Sequence, residues 1–415
     1  MTELIIVVDT NILTKSPFLS SDDWSKLLGH VEEWNLRLVV PEVVLMETVN
    51  VVRRNWREKR DSAANLQRWA EGIGTAGELE TIVTASDKRI NDYEETLRGR
   101  LAELGIEIAP VPTMIDHLEI ARRASERRAP YGGAEKAQQG QAKDGYRDTL
   151  IWLTFLGLAE DRAECHAWLV SDNYSDFGAK SEKKDPGDVA DYPLQWHPQL
   201  QTEVDERGLS GRVFYARSLR RMEQHLLAKY SPLSPEEREE LWDSVDIDDL
   251  HRRLTEGIYS TPLDPRSAAL PLATTAAWVI ASVYGSEDFE LSEAAHRPGG
   301  AWTGRATCEI DATIEVTKTS GDVVEVRKPL IVFARIDVTD NNEISSLSIE
   351  SINAEATDPQ HRAWKRADAA QWSGIADSIT AANTAHLRGL IEPITAATAA
   401  HLRGLIEPAG YDWPG

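Results

Sequence analysis

Four acidic side chains stand where their neighbours make a carboxylate costly or set it at a strand end. Asp9 closes Leu4–Val8, an apolar and mostly β-branched run that reads as a strand buried on both faces. In an open α/β sheet, ligands bind at the carboxyl ends of the strands, so Asp9-Thr10-Asn11 is a site candidate. The competing role for Asp9 is to cap the next helix. The same arrangement recurs where Ala167–Val170 ends in Ser171-Asp172-Asn173. Glu47 lies among Val43, Val44, Met46 and Val51, where an unpaired carboxylate is costly unless it binds a metal; the alternative is a partly exposed helix glutamate. Asp148 falls in the first turn of an apolar helix running to Ala159, which favours a carboxylate electrostatically; the alternative to a functional anion is an ordinary helix-start aspartate.

The elements that must position these acids follow from periodicity. Strands are expected at Leu4–Val8, Leu36–Val40, from Ile106 to Pro110, at Ala167–Val170 and at Val213–Tyr215. Trp24, Leu27, Leu28 and Val31 recur at helical spacing within Asp22–Trp34. Pro41 opens the Glu47 helix at a position where proline is tolerated. That helix continues into Arg53, Arg54, Arg57, Lys59 and Arg60, which either track a phosphate backbone, with Trp56 stacking a base, or form a solvated face. Further helix spans 61–104 with a break at Gly72–Gly77, and another runs from Met114 to Arg128. The stretch 129–142 is rich in Gly, Gln and Ala and lacks the Gly-Lys-Ser/Thr ending of a phosphate-binding loop.

A chain of 415 residues holds about two to three domains. Its formal net charge of -23 argues against coating nucleic acid or anionic membrane through bulk electrostatics, yet leaves room for local basic patches and for cations at acidic sites. Cys165 and Cys308 match no metal-ligand spacing and fit a reducing, cytoplasmic setting. The chain enters a strand within three residues, so no signal peptide is expected. The longest apolar stretch, Leu270–Tyr284, is interrupted by Pro271, Thr274 and Thr275 and is too short to span a bilayer. No His-Glu-x-x-His pair and no Gly-x-Ser-x-Gly elbow occurs.

The order of these segments resembles the PIN domain, and more narrowly the larger bacterial PIN-like proteins with helical insertions. The resemblance rests on strand-Asp9-Thr10-Asn11, Glu47 behind Pro41, Lys143-x-Gly-Tyr-Arg147-Asp148 leading into Leu-Ile-Trp, and Leu-Val-Ser171-Asp172-Asn173 with Asp176-Phe177. It covers roughly residues 1 to 180. It implies a parallel α/β sheet flanked by helices and a metal-dependent ribonuclease. Its acidic site maps to Asp9, Glu47, Asp148 and Asp172, with Thr10, Asn11, Ser171, Asn173 and Asp176 as supporting groups. Arg53, Arg54, Arg57, Lys59, Lys143 and Arg147 are the candidate substrate contacts. Four carboxylates converging on one sheet edge repel each other, and one or two Mg²⁺ or Mn²⁺ ions, which favour oxygen ligands, resolve that repulsion. Such ions acidify a coordinated water and hold a phosphate for in-line attack. The expected reaction is endonucleolytic hydrolysis of RNA, or of single-stranded nucleic acid more broadly, and the resemblance alone suggests a toxin-like or phage-defence setting. The alternatives are a PIN-like nucleic-acid-binding module and a protein scaffold.

The expected organisation is a nuclease domain at 1–228, a helical connector at 229–268, an antiparallel β module at 269–355 and a helical tail at 356–415. Ser234-Pro235-Glu236-Glu237 is a capping box. Period-two alternation, as in Thr307–Val316 and Leu330–Val338, marks the β module, a candidate surface for a protein partner. Ile379–Pro393 recurs as Ile394–Pro408 with two of fifteen positions changed, which reads as a tandem duplication of a short helix ended by proline.

Overall fold

The structure is a computed structural model that describes residues 2–113, 115–131, 145–179, 192–285 and 289–367. Lys143 and the duplicated tail segment lie outside the described residues. The chain divides into two compact units. The first holds residues 1–245 together with 291–304 and 337–346; the second holds 246–290, 305–336 and residues from 347 onward.

A five-stranded parallel sheet forms the centre of the first unit. Its strands are β1 (Leu4–Val8), β2 (Leu36–Pro41), β3 (Glu107–Ala109), β4 (His166–Val170) and β5 (Val213–Ala216), in the order β3-β2-β1-β4-β5. All five residues of β1 are buried, as a continuous apolar run in a central parallel strand requires. In the β1–β4 register Val8 lies beside Val170, so Asp9 and Ser171 leave the sheet side by side. Chain order reverses between β1 and β4, and a crevice opens at the carboxyl edge of a parallel sheet at such a switch point.

Helices flank the sheet. After α1 (Thr10–Lys15) and α2 (Asp22–Leu28), α3 (Glu42–Ala64) leaves β2 and packs its Val44, Thr48, Val49 and Val52 inward. Pro41 ends β2 and caps α3 with φ −58 and ψ 141, so the helix begins one residue later than the expected proline start. The break in the next helical stretch separates α4 (Gln67–Ile73) from α5 (Ala76–Glu103), and Gly74 ends α4 at φ 80, in the left-handed region that favours glycine. Helix α5 returns along α3, burying Ile90, Tyr93, Leu97 and Leu101. Next, α6 (His117–Glu126) is capped by Asp116, which receives the Leu118 amide, and is shorter than the expected 114–128. The apolar α7 (Tyr146–Glu160) carries Asp148, and α8 (Tyr174–Phe177), α9 (Pro198–Glu206) and α10 (Leu219–Tyr230) complete the surround.

The Ser234–Glu237 capping box opens α11 (Pro235–Asp243) with both reciprocal hydrogen bonds, and α12 (Ile247–Ser260) follows. The second sheet is antiparallel in β6–β8 and has the order β10-β9-β8-β6, with β7 paired to β8; its strands are β6 (Thr274–Tyr284), β7 (Glu290–His296), β8 (Trp302–Lys318), β9 (Val323–Val338) and β10 (Ile344–Asn353). Cys308, Ile310, Ala312, Ile314 and Val316 are buried on one face of β8 while Glu309, Asp311 and Glu315 point to solvent, as period-two alternation dictates. A buried charge network explains why 337–346 and 291–304 belong with the first unit. Arg297 reaches Glu223 at 2.6 Å and Asp337 at 3.1 Å, and Lys26 meets Asp337 at 2.7 Å.

Candidate active site

Three strand ends build the site. Asp9 is 3% exposed, and its two oxygens have different tasks. One accepts the Thr10 amide at 2.6 Å and caps α1; the other accepts the Asn11 side-chain amide at 2.7 Å and the Ser171 hydroxyl at 2.5 Å. The cap and the site carboxylate, which the sequence posed as alternatives, are therefore one residue. Ser171 is fully buried and also accepts the Asn173 amide at 3.1 Å. Its own carbonyl receives the Tyr215 hydroxyl at 2.8 Å, and burial pushes that phenol well above its ordinary pKa. The Asn11 side-chain oxygen Oδ1 accepts the Asp172 backbone amide at 2.9 Å, so the β1 and β4 ends are cross-tied.

The helices bring the other two acids. Glu47, in the second turn of α3, accepts the Thr10 hydroxyl at 2.8 Å and pairs with Arg147. Asp148 is 7% exposed in the first turn of α7. Asp9, Glu47, Asp148 and Asp172 all line one cavity of about 380 Å³, together with Thr10, Asn11, Arg147 and Asn173. Asp176 does not line it; it is buried and held by the Asn173 side-chain amide at 2.6 Å, so it fixes the loop after β4.

Repulsion among the acids is offset by side-chain cations that sequence reasoning passed over. Lys15 and Arg217 each reach Asp172 at 2.8 Å, and Arg217 lies 4.9 Å from the Tyr174 ring centroid. Burial pushes the Asp172 carboxyl up, yet the hydrogen bonds from Lys15 and Arg217 outweigh that effect and hold it below its ordinary pKa. Arg217 carried a readable signal, for it follows β5 as Asp9 follows β1 and Ser171 follows β4. Lys15 is one helical turn beyond Asn11, on the same side of α1.

The basic end of α3 is divided. Arg53 donates to the carbonyls of Ile90 at 2.9 Å and Asn91 at 2.8 Å, tying α3 to α5, whereas Arg54, Arg57 and Lys59 are exposed. Trp56 is half-buried, 4.9 Å from the Tyr93 ring and 5.8 Å from the Phe18 ring, so part of its ring is packing between α3 and α5 and the rest faces the space between those helices.

Residues 6–177 match the family model of the PIN domain. This segment is a PIN domain. The PIN match contains all four cavity acids and ends before β5 and Arg217. No curated protein and no solved structure matches the chain. The PIN domain is a nuclease-type fold whose members typically use divalent metal ions and act on nucleic acid. The donors around this PIN cavity are oxygen atoms, the chemistry that Mg²⁺ and Mn²⁺ select. Among the described residues no three His, Cys, Asp or Glu side chains stand together as a ready-made metal site. Lys15, Arg147 and Arg217 act as counter-ions to Asp172 and Glu47. No helix among the described residues is long and apolar enough to cross a membrane.

Proposed function

We propose that the chain is a Mg²⁺- or Mn²⁺-dependent endoribonuclease, cytoplasmic in setting, with the activity in residues 1–228 and with single-stranded DNA as a second substrate class. The observation that carries this reading is the single cavity lined by Asp9, Glu47, Asp148 and Asp172 at the carboxyl edge of a parallel sheet. A pure binding surface for a polyanion has no use for four acids lining one cavity, whereas a divalent cation draws on them. The oxygen donor set suits such an ion, and those four residues would hold it. When bound, it neutralises phosphodiester charge and activates water for hydrolysis.

The protein's own groups do the rest. Ser171 and Asn11 hold the Asp9 carboxylate in one orientation. Thr10 does the same for Glu47. Arg147 and Lys15, with side chains 45% and 60% exposed, are free enough to turn from their carboxylates to the phosphate of an entering strand. Arg217, whose side chain is 14% exposed, stays packed and keeps Asp172 ionised. Arg54, Arg57 and Lys59 extend positive charge along α3 on a chain of net charge -23, and would steer the strand toward this end of the sheet. The test is incubation of the purified chain with assorted RNA and single-stranded DNA in Mg²⁺, Mn²⁺ or EDTA. Metal-dependent cleavage of RNA that Asp9→Asn and Asp148→Asn abolish supports the reading. Binding without cleavage in every metal rejects it.

A further inference from the structure

A second cavity, of about 590 Å³, opens between α3 and α5. It falls within the range of about 300–1,000 Å³ of small-molecule sites and exceeds the acidic cavity in volume. Phe18, Trp56, Ile82 and Ile90 give it apolar walls, two of them aromatic, and Lys59 and Arg89 stand at its rim. Arg60 also borders it but is committed to Asp61 and Asp87 at 2.6 Å each. Lys59 and Arg89 are exposed and have no ion pair among the described residues. Uncommitted cations beside an apolar, aromatic-walled space suit a ligand with a flat apolar body and an anionic end.

Nine residues along α3 separate Trp56 from Glu47. That is two and a half turns, about 13 Å along the axis and on opposite sides of the helix. The cavity is therefore a site apart from the acids, although one rigid helix carries both. A fatty chain would need an enclosed tunnel, and a peptide would meet few polar groups in these walls. A base between the aromatic and aliphatic side chains, with its phosphate on the two cations, satisfies every feature.

We propose that this cavity binds a nucleotide, with the base against Trp56 and Ile82 and the phosphate on Lys59 and Arg89. Two sources supply that chemistry, a free nucleotide or a nucleotide of an RNA strand. The site does not depend on the chain being a nuclease, and its test runs in EDTA, where metal-dependent cleavage is silent. The full-length chain is titrated by calorimetry with adenosine 5′-monophosphate, with a 5′-phosphorylated oligoadenylate of about eight nucleotides, and with adenosine as the uncharged control. Saturable binding of either phosphorylated probe, weakened at least tenfold in Lys59→Glu/Arg89→Glu, is the expected result. Tighter binding of the mononucleotide identifies a free ligand, and tighter binding of the oligonucleotide identifies a strand. Because both reversed residues are exposed and outside any described ion pair, the double variant is expected to melt with the wild type, and Ile82→Glu, at a side chain 57% exposed, supplies a second independent loss of binding. Three results overturn the proposal: no saturable binding of either probe at millimolar concentration, binding that charge reversal and Ile82→Glu leave unchanged, or adenosine binding as tightly as its monophosphate.

Discussion

Removing the Ser171 hydroxyl is expected to unhinge Asp9 and to cost the metal-free chain measurable stability. Ser171 is fully buried, and its oxygen donates to Asp9 at 2.5 Å while accepting the Asn173 amide at 3.1 Å and the Asn11 side-chain amide at 3.3 Å. A hydrogen bond to a charged group contributes about 1.5–3 kcal/mol, and Ser171→Ala also strips the Asn173 amide of its acceptor. The void left is only a hydroxyl, so the cavity cost is minor. A total near 2–3 kcal/mol lowers the melting temperature by roughly 5 to 10 °C in a unit of this size. The assay is thermal unfolding in EDTA of the wild type, Ser171→Ala, Asp9→Ala and the double variant. If Ser171 acts through Asp9, the two losses couple by ~1 kcal/mol or more, whereas independent sites add within ~0.5 kcal/mol. Additive losses, or a Ser171→Ala chain that melts within about 1 °C of the wild type, would refute the positioning role.

Glu47→Gln is expected to abolish cleavage and to lower stability in EDTA by at most ~1 kcal/mol, because it removes an ion pair whose Arg147 side chain is 45% exposed. A rise in melting temperature would mean that repulsion among the acids outweighs their pairing with cations. Arg54→Ala/Arg57→Ala should weaken RNA binding and flatten its salt dependence with no change in melting, while Arg53→Ala should lower melting because it unties α3 from α5; equal salt slopes before and after the double change would remove Arg54 and Arg57 from the substrate path. Asp337 gives a pH signature. Burial pushes its carboxyl up, but Arg297 and the hydrogen bonds from Lys26 and Ser346 hold it at about 2. A depressed pKa adds stability above the unfolded value of about 3.9 and loses it as pH falls through the folded value. The wild type should therefore lose melting temperature between about pH 4 and pH 2 more steeply than Asp337→Asn, and parallel curves would contradict the assignment.

What was legible in the sequence and what was not divide along physical lines. Leu4–Val8 and Ala167–Val170 were readable because a strand buried on both faces must be apolar throughout, and a sudden carboxylate after such a run has few structural reasons to exist. The order of motifs then led to the PIN family and its flanked parallel sheet, which the family match over 6–177 and the strand order bear out. The period of Thr307–Val316 gave the antiparallel sheet in the same way. Counter-ions were not legible. Lys15 and Arg147 are long, common surface residue types, and only the folded chain reveals that each meets a cavity acid; Arg217 is marked in the sequence by its place after β5 alone, which does not name its partner. Arg53 looks like a substrate contact in the sequence because a helix face carries no mark of which residues a returning helix will engage, and α5 engages it through the Ile90 and Asn91 carbonyls. The grouping of 291–304 and 337–346 with the first unit was illegible for the same reason, since Glu223, Arg297 and Asp337 find each other across long loops of chain.

On the proposed reading the four-acid cavity hydrolyses phosphodiester bonds with a divalent ion and water. End analysis of RNA cut by the purified chain tests it most directly. Attack by activated water, and not by the ribose 2′-hydroxyl, leaves 5′-phosphate and 3′-hydroxyl ends, only in Mg²⁺ or Mn²⁺, and none in Asp9→Asn. Products ending in 2′,3′-cyclic phosphate, or cleavage undiminished in EDTA, would contradict the account.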